Sequence, residues 1–167
     1  DALALLSRKP ELTISKLSRL VGRSPDHPLV RQLAAEQFFP HDVFASNATG
    51  HSQLRIGNEV FAPEELMAMI LQHAKEMAAS HTGGKLIKDC VLTVPSGFTQ
   101  HERRALIASA SIAHLNVLSL IEENTAAALH FGMDRSGDDA PTTVLLYNMG
   151  AGAVDVAVVR YSAYIIK

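Results

Sequence analysis

The sequence has a single cysteine and no long apolar run, and both absences exclude structural classes. One cysteine cannot form a disulfide within the chain. No run of about 18 apolar residues is present, so no segment is expected to span a bilayer as a helix. The sequence therefore predicts neither an internal disulfide nor a membrane partner.

Charge of one sign is not in excess either. The 15 basic and 17 acidic residues give a formal net charge of -2, whereas nucleic-acid binding usually requires a basic surface. The eight histidines occur without the HExxH spacing of zinc sites, and no CxxC pair is present. We expect no nucleic-acid partner and no direct metal site.

Apolar sequence is abundant enough for a core. Hydrophobic residues make up 47% of the 167 positions, which suits one domain or a large part of a bigger one. The chain begins at Asp1 without a methionine and ends at Lys167 directly after apolar residues. These ends indicate a segment of a longer protein.

The first half of the sequence predicts helices followed by a small antiparallel element. Helical patterns cover "LALLSRK", "ISKLSRLVGR" and "PLVRQLAAEQF", with breakers between them. Residues 41–61 have a strand-like pattern around a predicted two-residue turn, Gly57-Asn58. Pro63 then begins a longer helix. Its predicted core face comprises Leu66, Met69, Ile70, His73 and Met77.

The second half alternates strands with helices. "CVLTVP" predicts a strand ending at Pro95, and Thr99 and Glu102 have the spacing of a capping box that begins a helix. The strand "NVLSLI" and the helix "ENTAAALHF", stopped by Gly132, follow. The last two strands flank Gly150-Ala151-Gly152. This order predicts an α/β fold with a mixed sheet covered by helices, and a small α+β portion in front.

The turn Gly150-Ala151-Gly152 allows two interpretations. Glycines let backbone amides approach a phosphate, but the same spacing is common in plain hairpins. Asp155 is a charge within the apolar segment "AVDVAVV". It either points to solvent or supports the turn and a cation there.

Two adjacent acids, Glu122 and Glu123, follow an apolar strand at the start of a helix. One interpretation is structural, because acids favour the positive end of a helix and Glu123 or Asn124 can cap it. The other is that a carboxylate at the carboxyl end of a strand orients a water or a metal.

Several motifs carry a resemblance to a known family. "TVP", "LNVL", "ENTAAA" and "VLLYNMGAGAVDVAVV" occur here in that order, and the chain resembles the nucleotide-binding domain of the 70-kDa heat-shock protein superfamily. "RLVGR" and "FAPEELMAMIL" also lie in the expected order, so the resemblance covers most of the chain. "SKLSRLVGRSPDHPLV", "FTQHERRAL" and Asn124 in place of the usual proline are most similar to the large endoplasmic-reticulum branch, the 170-kDa glucose-regulated or hypoxia up-regulated type.

The resemblance implies an actin-like (ribonuclease H-like) ATPase fold with two lobes around ATP or ADP and magnesium. The chain would supply part of the first lobe, as a peripheral subdomain at residues 1–88 and a base portion at residues 89–167. The first phosphate hairpin and the second lobe are missing from it. We therefore expect the isolated chain to bind no cofactor, to lack ATPase activity and to self-associate through apolar surface.

The resemblance also implies roles for individual residues. Gly150, Ala151, Gly152, Ala153 and Asp155 match the second phosphate loop. In addition, Glu123 matches an acid near the hydrolytic water. Pro95 and Arg103 match a switch pair that relays the nucleotide state toward an interdomain linker.

Three positions depart from the family pattern. Asn148 stands where the loop normally begins with an aspartate, Ala153 replaces a threonine, and Ser18 replaces the hydrolytic lysine before "RLVGR". Lys16 lies two residues away. Losing the charges at positions 148 and 18 implies binding of ATP with weakened hydrolysis, in a chaperone that holds unfolded clients and acts as a nucleotide-exchange partner for an orthodox 70-kDa chaperone. The alternatives are an orthodox ATP-hydrolysing cycle and, less in keeping with the motifs, an actin-like sugar kinase.

The triplet Asn47-Ala48-Thr49 is a glycosylation sequon. It accepts a glycan only in the secretory pathway. Together with the resemblance it predicts the endoplasmic reticulum lumen, with the cytoplasm as the alternative.

Overall fold

The computed structural model describes residues 5, 8–36, 39–133, 140–150 and 152–162. Helices and strands alternate in it, which confirms the mixed α/β class. The chain forms two compact units, one of residues 1–90 and 98–118 and the other of residues 91–97 and 119–167. The division at residue 88 that the resemblance implies stays a prediction.

Leu5 and Arg8 near the start of the first unit are helical. The unit then has short 3-10 turns at Pro10–Leu12 and Leu17–Arg19, followed by helix α1, Pro28–Ala34. The predicted helix over "ISKLSRLVGR" is wrong, because only Leu17–Arg19 is helical there. Left-handed backbone interrupts the segment at Lys16 (φ 57°) and Gly22 (φ 72°). The consecutive residues Leu20 and Val21 are both fully buried, an arrangement that a one-sided helix does not provide. Most of "LALLSRK" lies outside the described residues.

A small antiparallel sheet follows, with strands β1 (Asp42–Ala45), β2 (Ser52–Ile56) and β3 (Glu59–Phe61) in that order. Ile56 pairs with Glu59, so the predicted two-residue hairpin is confirmed. Gly57 alone has a positive φ, 60°, as in hairpin turns that place glycine first. The sheet contributes Leu54, fully buried, to the core of this unit.

Helix α2 (Pro63–His81) packs on helix α3 (Gln100–Ile112). Its predicted core face is largely wrong. Leu66 is buried, but Met69, Ile70 and Met77 are 52–56% exposed, and His73 is exposed. The helix contacts α3, β2 and the Leu17–Arg19 turn, so the residues that face these neighbours are buried instead. The buried residues of α2 are Pro63, Leu66 and Ala68.

Strands β4 (Asp89–Val94) and β5 (Asn116–Glu122) form a two-stranded sheet. The predicted strand end at Pro95 and the capping box are confirmed. The Thr99 amide donates to Glu102 Oε2 at 2.8 Å, and the His101 amide donates to Thr99 Oγ1 at 3.3 Å. Helix α3 therefore begins where its sequence predicts.

The second unit contains helix α4 (Glu123–Met133) and an antiparallel hairpin of β6 (Thr142–Met149) and β7 (Val154–Tyr161). The hairpin is confirmed, but it forms its own sheet, and the described strands make three sheets instead of one mixed sheet. Gly132 does not stop α4, which continues to Met133. A Cβ at Gly132 would lie 2.7 Å from Tyr161 Cε1, so glycine is needed there for packing on β7.

One face of the hairpin is exposed and apolar, and we call it the exposed hairpin face. It consists of three directly opposed pairs, Leu145 with Val158, Tyr147 with Val156 and Met149 with Val154. All six side chains are 52–70% exposed. The opposite face of the hairpin is mostly half-buried.

Candidate functional site

The turn between β6 and β7 is tight and ordered by a backbone hydrogen bond. Met149 pairs with Val154 across the strands, and the Gly150 amide donates to the Ala153 carbonyl at 3.0 Å. Ala151 lies outside the described residues. Gly150, Gly152 and Ala153 are all exposed at this tip, so the turn is accessible to a ligand.

The described residues do not crowd the glycines of this turn. Gly150 has no positive φ. Among the described residues, a Cβ at Gly152 would have no neighbour within 4 Å, and one at Gly150 would meet only the Ala153 carbonyl oxygen, at 3.9 Å. Gly22 differs, because its φ is 72° and a Cβ there would lie 2.7 Å from Glu102 Cα. The described residues therefore leave the space over the hairpin turn open, as a backbone cradle for phosphate oxygens requires.

The structure brings two predicted residues together at the base of the turn. Asn148 and Asp155 are directly opposed in the register. Asp155 is half-buried, on the same face of β7 as Ala157 and Val159, while Asn148 is exposed. Opposed residues have Cβ atoms roughly 5 Å apart, so the amide and the carboxylate lie close enough to share a hydrated cation.

Glu123 is the first residue of α4, directly after β5 ends at Glu122. The predicted boundary between strand and helix is therefore confirmed, and both acids are half-buried. Helix α4 contacts the hairpin at its open end, where Tyr161 Oη donates to the Ala128 carbonyl at 2.8 Å. Within the described part of the chain, no hydrogen bond or ion pair joins Glu123 to the turn. Its role at a hydrolytic water stays a prediction.

Ser18 and Lys16 lie in the first unit, at and before the Leu17–Arg19 turn. The Ser18 side chain is exposed, and its carbonyl accepts a hydrogen bond from Arg23 Nη1 at 3.0 Å. Lys16 Nζ forms a hydrogen-bonded ion pair with Glu36 Oε2. That hydrogen bond, with the charges of Lys16 and Arg19, lowers the pKa of Glu36 against the opposing effect of desolvation. Lys16 is thus engaged elsewhere, which disfavours it as a substitute for the missing lysine.

A buried ion pair that the sequence did not predict connects "RLVGR" with α3. Arg23 Nε donates to Glu102 Oε1 at 3.0 Å, and the two side chains are only 7% and 5% exposed. The Arg23 guanidinium lies over the Phe98 ring, with Cζ 5.5 Å from its centroid. The two residues lie 79 positions apart, so no local pattern in the sequence indicated the pair.

The pKa of Glu102 is set by opposing effects. Burial raises the pKa, but hydrogen bonds from Thr99, the local backbone and the charge of Arg23 together hold it below its ordinary value. The carboxylate that completes the capping box therefore also neutralises a buried arginine. It fixes the Gly22 turn against the start of α3.

The predicted switch residues have different surroundings. Arg103 Nε donates to the Phe98 carbonyl at 3.0 Å, just before α3. Pro95 is half-buried at the end of β4 and belongs to the second unit. Their coupling stays a prediction.

The sequon lies on an exposed turn between β1 and β2. Asn47 and Thr49 are both exposed, and Thr49 Oγ1 accepts from the His51 amide at 3.3 Å. The turn is closed by the Gly50 amide, which donates to the Ser46 carbonyl at 2.8 Å. The asparagine is accessible to a modifying enzyme.

Two absences concern only the described part of the chain. Its residues contain no group of three or more His, Cys, Asp or Glu side chains placed to hold a metal ion. Its helices include none that is both long and apolar enough to cross a membrane.

Comparisons with known proteins agree with the order of the motifs. The Hsp70 protein family model matches residues 4–166. Heat shock 70 kDa protein 17 of Arabidopsis thaliana is 36% identical over 167 residues, which cover 98% of this chain and 19% of that protein. Hypoxia up-regulated protein 1 is 35% identical in Danio rerio and 34% in Mus musculus, over 96% of this chain and 16% of each relative. The chain spans less than a fifth of the length of these relatives.

Proposed function

The chain belongs to the Hsp70 family, and from this premise we propose that it forms part of the ATP-binding domain of a chaperone, with the turn at residues 150–153 as a phosphate loop. One observation carries the proposal. Gly150 has no positive φ, and a Cβ at Gly150 or Gly152 would meet no described residue closer than 3.9 Å. Their missing side chains leave room for a ligand to reach the backbone.

The residues around the turn fit a nucleotide with magnesium. Magnesium prefers oxygen ligands and keeps several of its waters. Asp155 provides a carboxylate, and the opposed Asn148 provides an amide oxygen that can accept from a metal-bound water. The bound metal would supply charge neutralisation at the phosphates. The residues of this chain would hold the water shell of the metal and the phosphate oxygens.

Hydrolysis is proposed to be weak. Asn148 contributes no charge and cannot take up a proton, and the exposed Ser18 supplies no positive charge. Each missing electrostatic group is worth about 3 kcal/mol by analogy with a removed oxyanion donor, or roughly a hundredfold in rate. Ala153 also lacks the hydroxyl of the family's threonine. Binding of the nucleotide depends less on these groups, because backbone amides supply much of a phosphate cradle.

The actin-like arrangement, the subdomains at residues 1–88 and 89–167, and the Pro95–Arg103 switch belong to the same proposal. So do the roles of the whole protein, which are holding unfolded clients, stress response, and nucleotide exchange with an orthodox 70-kDa chaperone. The accessible sequon at Asn47 supports a location in the endoplasmic reticulum lumen.

The experiment compares two glycines in a full-length protein that contains this sequence. Gly152→Val fills the open space at the turn and should weaken ATP binding at least tenfold by calorimetry. Gly97→Val is the matched control, since Gly97 also has open surroundings and no positive φ. Equal ATP affinity for both variants would contradict the phosphate loop.

Single-turnover kinetics distinguish weakened hydrolysis from the orthodox ATP-hydrolysing cycle. Restoring the charge with Asn148→Asp should accelerate hydrolysis by about tenfold or more. An unchanged rate would mean that the asparagine does not limit the chemistry. Phosphate transfer to a sugar would instead favour a kinase.

A further inference from the structure

The first unit contains a second candidate site, a cleft of about 520 Å³. We call it the Ser52 cleft. It lies between the start of β2, the start of α2 and the first turns of α3, and its polar wall includes Ser46, Ser52, Glu64, His101 and Arg104. The volume is within the range of small-molecule sites, about 300–1,000 Å³. None of the hairpin residues contributes to it.

Ser52, one of the residues that line this cleft, has a buried hydroxyl without a partner among the described residues. Ser52 is 1% exposed, and its Oγ makes no hydrogen bond with any residue that the structure describes. Its backbone is fixed, because the Ser52 amide donates to the Arg23 carbonyl at 3.2 Å. Buried hydroxyls are nearly always hydrogen-bonded, since leaving one unpaired is unfavourable. An occupant with a polar atom would satisfy it.

An arginine without a partner in the described part of the chain lies on the wall of the cleft. The Arg104 guanidinium makes no hydrogen bond or ion pair within the described ranges, and neither does the His101 ring. The wall also carries one carboxylate among its described residues, Glu64, whose Oε1 accepts from the Gly22 amide at 3.0 Å. Glu64 keeps its negative charge, so the selectivity for an anion depends on the hydrogen-bond donors of Arg104. An arginine fork matches a carboxylate or phosphate group with two parallel hydrogen bonds.

Part of the wall is apolar, beside the further polar residues Thr49, His51 and Gln53. Ala62 at the start of α2, with Ala105 and Ala108 on α3, supplies small aliphatic surface. Ligand sites commonly combine such a surface with a few placed polar groups. A ligand that fits both parts has an apolar body and one anionic end.

We infer that the Ser52 cleft binds a small molecule consisting of an oxyanion, carboxylate or phosphate, on an apolar body about the size of a ring. Arg104 and His101 contact the oxyanion, and the Ser52 hydroxyl donates to the ligand. This site is independent of the proposed phosphate loop.

The test titrates the 167-residue chain with three probes and follows the backbone amides of Ser52 and His101 by NMR. The probes are benzoate, phenyl phosphate and benzamide, which is the neutral counterpart of benzoate. We expect saturable shifts with benzoate, phenyl phosphate or both, and at least tenfold weaker binding of benzamide. Comparing the two anions identifies whether carboxylate or phosphate is preferred.

Variants separate a built site from general attraction to positive charge. Arg104→Gln should weaken the preferred anion about tenfold, as expected for a lost charge-assisted hydrogen bond. Arg31→Gln, an exposed arginine on α1 outside the cleft, should leave affinity unchanged. Ser52→Ala should lower affinity several-fold without lowering the thermal midpoint of the free chain, because the hydroxyl has no partner to lose.

Three results would overturn the inference. The first is that neither anion gives a saturable shift at concentrations up to about 100 mM, because any weaker binding is non-specific. The second is equal binding of benzamide and benzoate. The third is an equal loss of affinity in the Arg31 and Arg104 variants.

Discussion

Removing the Glu102 carboxylate should strongly destabilise the chain. Its partner Arg23 is 7% exposed, and Glu102→Ala would leave that guanidinium buried without a counter-charge. The carboxylate also accepts from the Thr99 amide at 2.8 Å and from the Thr99 hydroxyl. Breaking one side of a buried ion pair costs about 3–5 kcal/mol, which is a large part of the 5–15 kcal/mol or so that stabilises a domain.

The assay is urea unfolding followed by far-ultraviolet circular dichroism. Its matched control is Asp26→Ala, which also removes one carboxylate from an ion pair with arginine. Asp26 pairs with Arg31, but these side chains are 85% and 68% exposed. An exposed pair contributes below about 1 kcal/mol. Equal losses in the Glu102 and Asp26 variants would refute the reasoning.

A double replacement tests whether the loss comes from the stranded charge. Arg23→Met combined with Glu102→Leu removes both charges while keeping apolar volume. Such replacements of buried pairs are often neutral or stabilising. The double variant should therefore be more stable than Glu102→Ala alone. If it were less stable, packing and the lost cap would explain the effect instead of the charge.

The same carboxylate predicts how stability depends on pH. The pKa of Glu102 is lower in the folded chain than its ordinary value of 4.5, so the folded state favours the ionised form. Its contribution is complete above that ordinary value and is lost as the pH falls through the lower folded pKa. Glu102→Gln should flatten this part of the stability profile, and an unchanged profile would contradict the assignment.

Three further changes have distinct expected outcomes. Gly22→Ala should lower the free energy of unfolding in urea by more than about 2 kcal/mol, because the φ of Gly22 is 72° and the new Cβ would lie 2.7 Å from Glu102 Cα. Gly83 is the control, with the same φ of 72° and open surroundings. Gly83→Ala should lower that free energy by only about 1 kcal/mol. The isolated chain should self-associate through the exposed hairpin face, and Tyr147→Lys or Val156→Lys should shift its sedimentation toward that of the monomer. Unchanged sedimentation would mean that this face is not the contact. Asn47→Gln should remove a mass shift that is seen when the chain is secreted from a glycosylating cell. Equal masses for the variant and the unaltered chain would mean that Asn47 carries no glycan.

The local sequence predicted those features of the fold that local interactions control. The capping box at Thr99 and Glu102 lies within one helical turn, and the Gly57 hairpin depends on one backbone angle, so both were predictable. The family followed from the order of several motifs along the chain, and the comparisons confirm it. None of these inferences needed the position of a distant residue.

Long-range packing explains what the sequence did not predict. Periodicity placed Met69 and Met77 in the core, but helix α2 contacts α3, β2 and the Leu17–Arg19 turn through other residues and leaves both methionines exposed. Gly132 resembled a helix stop, yet the ring of Tyr161, 29 positions later, is what excludes a side chain there. The partner of Glu102 lies 79 positions away. Such contacts have no counterpart in a local pattern.

The opposed positions of Asn148 and Asp155 connect the proposed chemistry to stability. Asn148→Asp would place two carboxylates directly opposite each other in the hairpin, which costs roughly 0.2–1 kcal/mol without a cation. A magnesium ion that binds both carboxylates would reverse this cost, because it stabilises only the folded hairpin. In the 167-residue chain the variant should therefore melt below the unaltered sequence in EDTA and recover in millimolar magnesium. Thr143→Asp is a control on the same strand, at the open end opposite Arg160, and magnesium should not stabilise it. If magnesium affected both variants equally, the Asn148–Asp155 pair would not be a cation site.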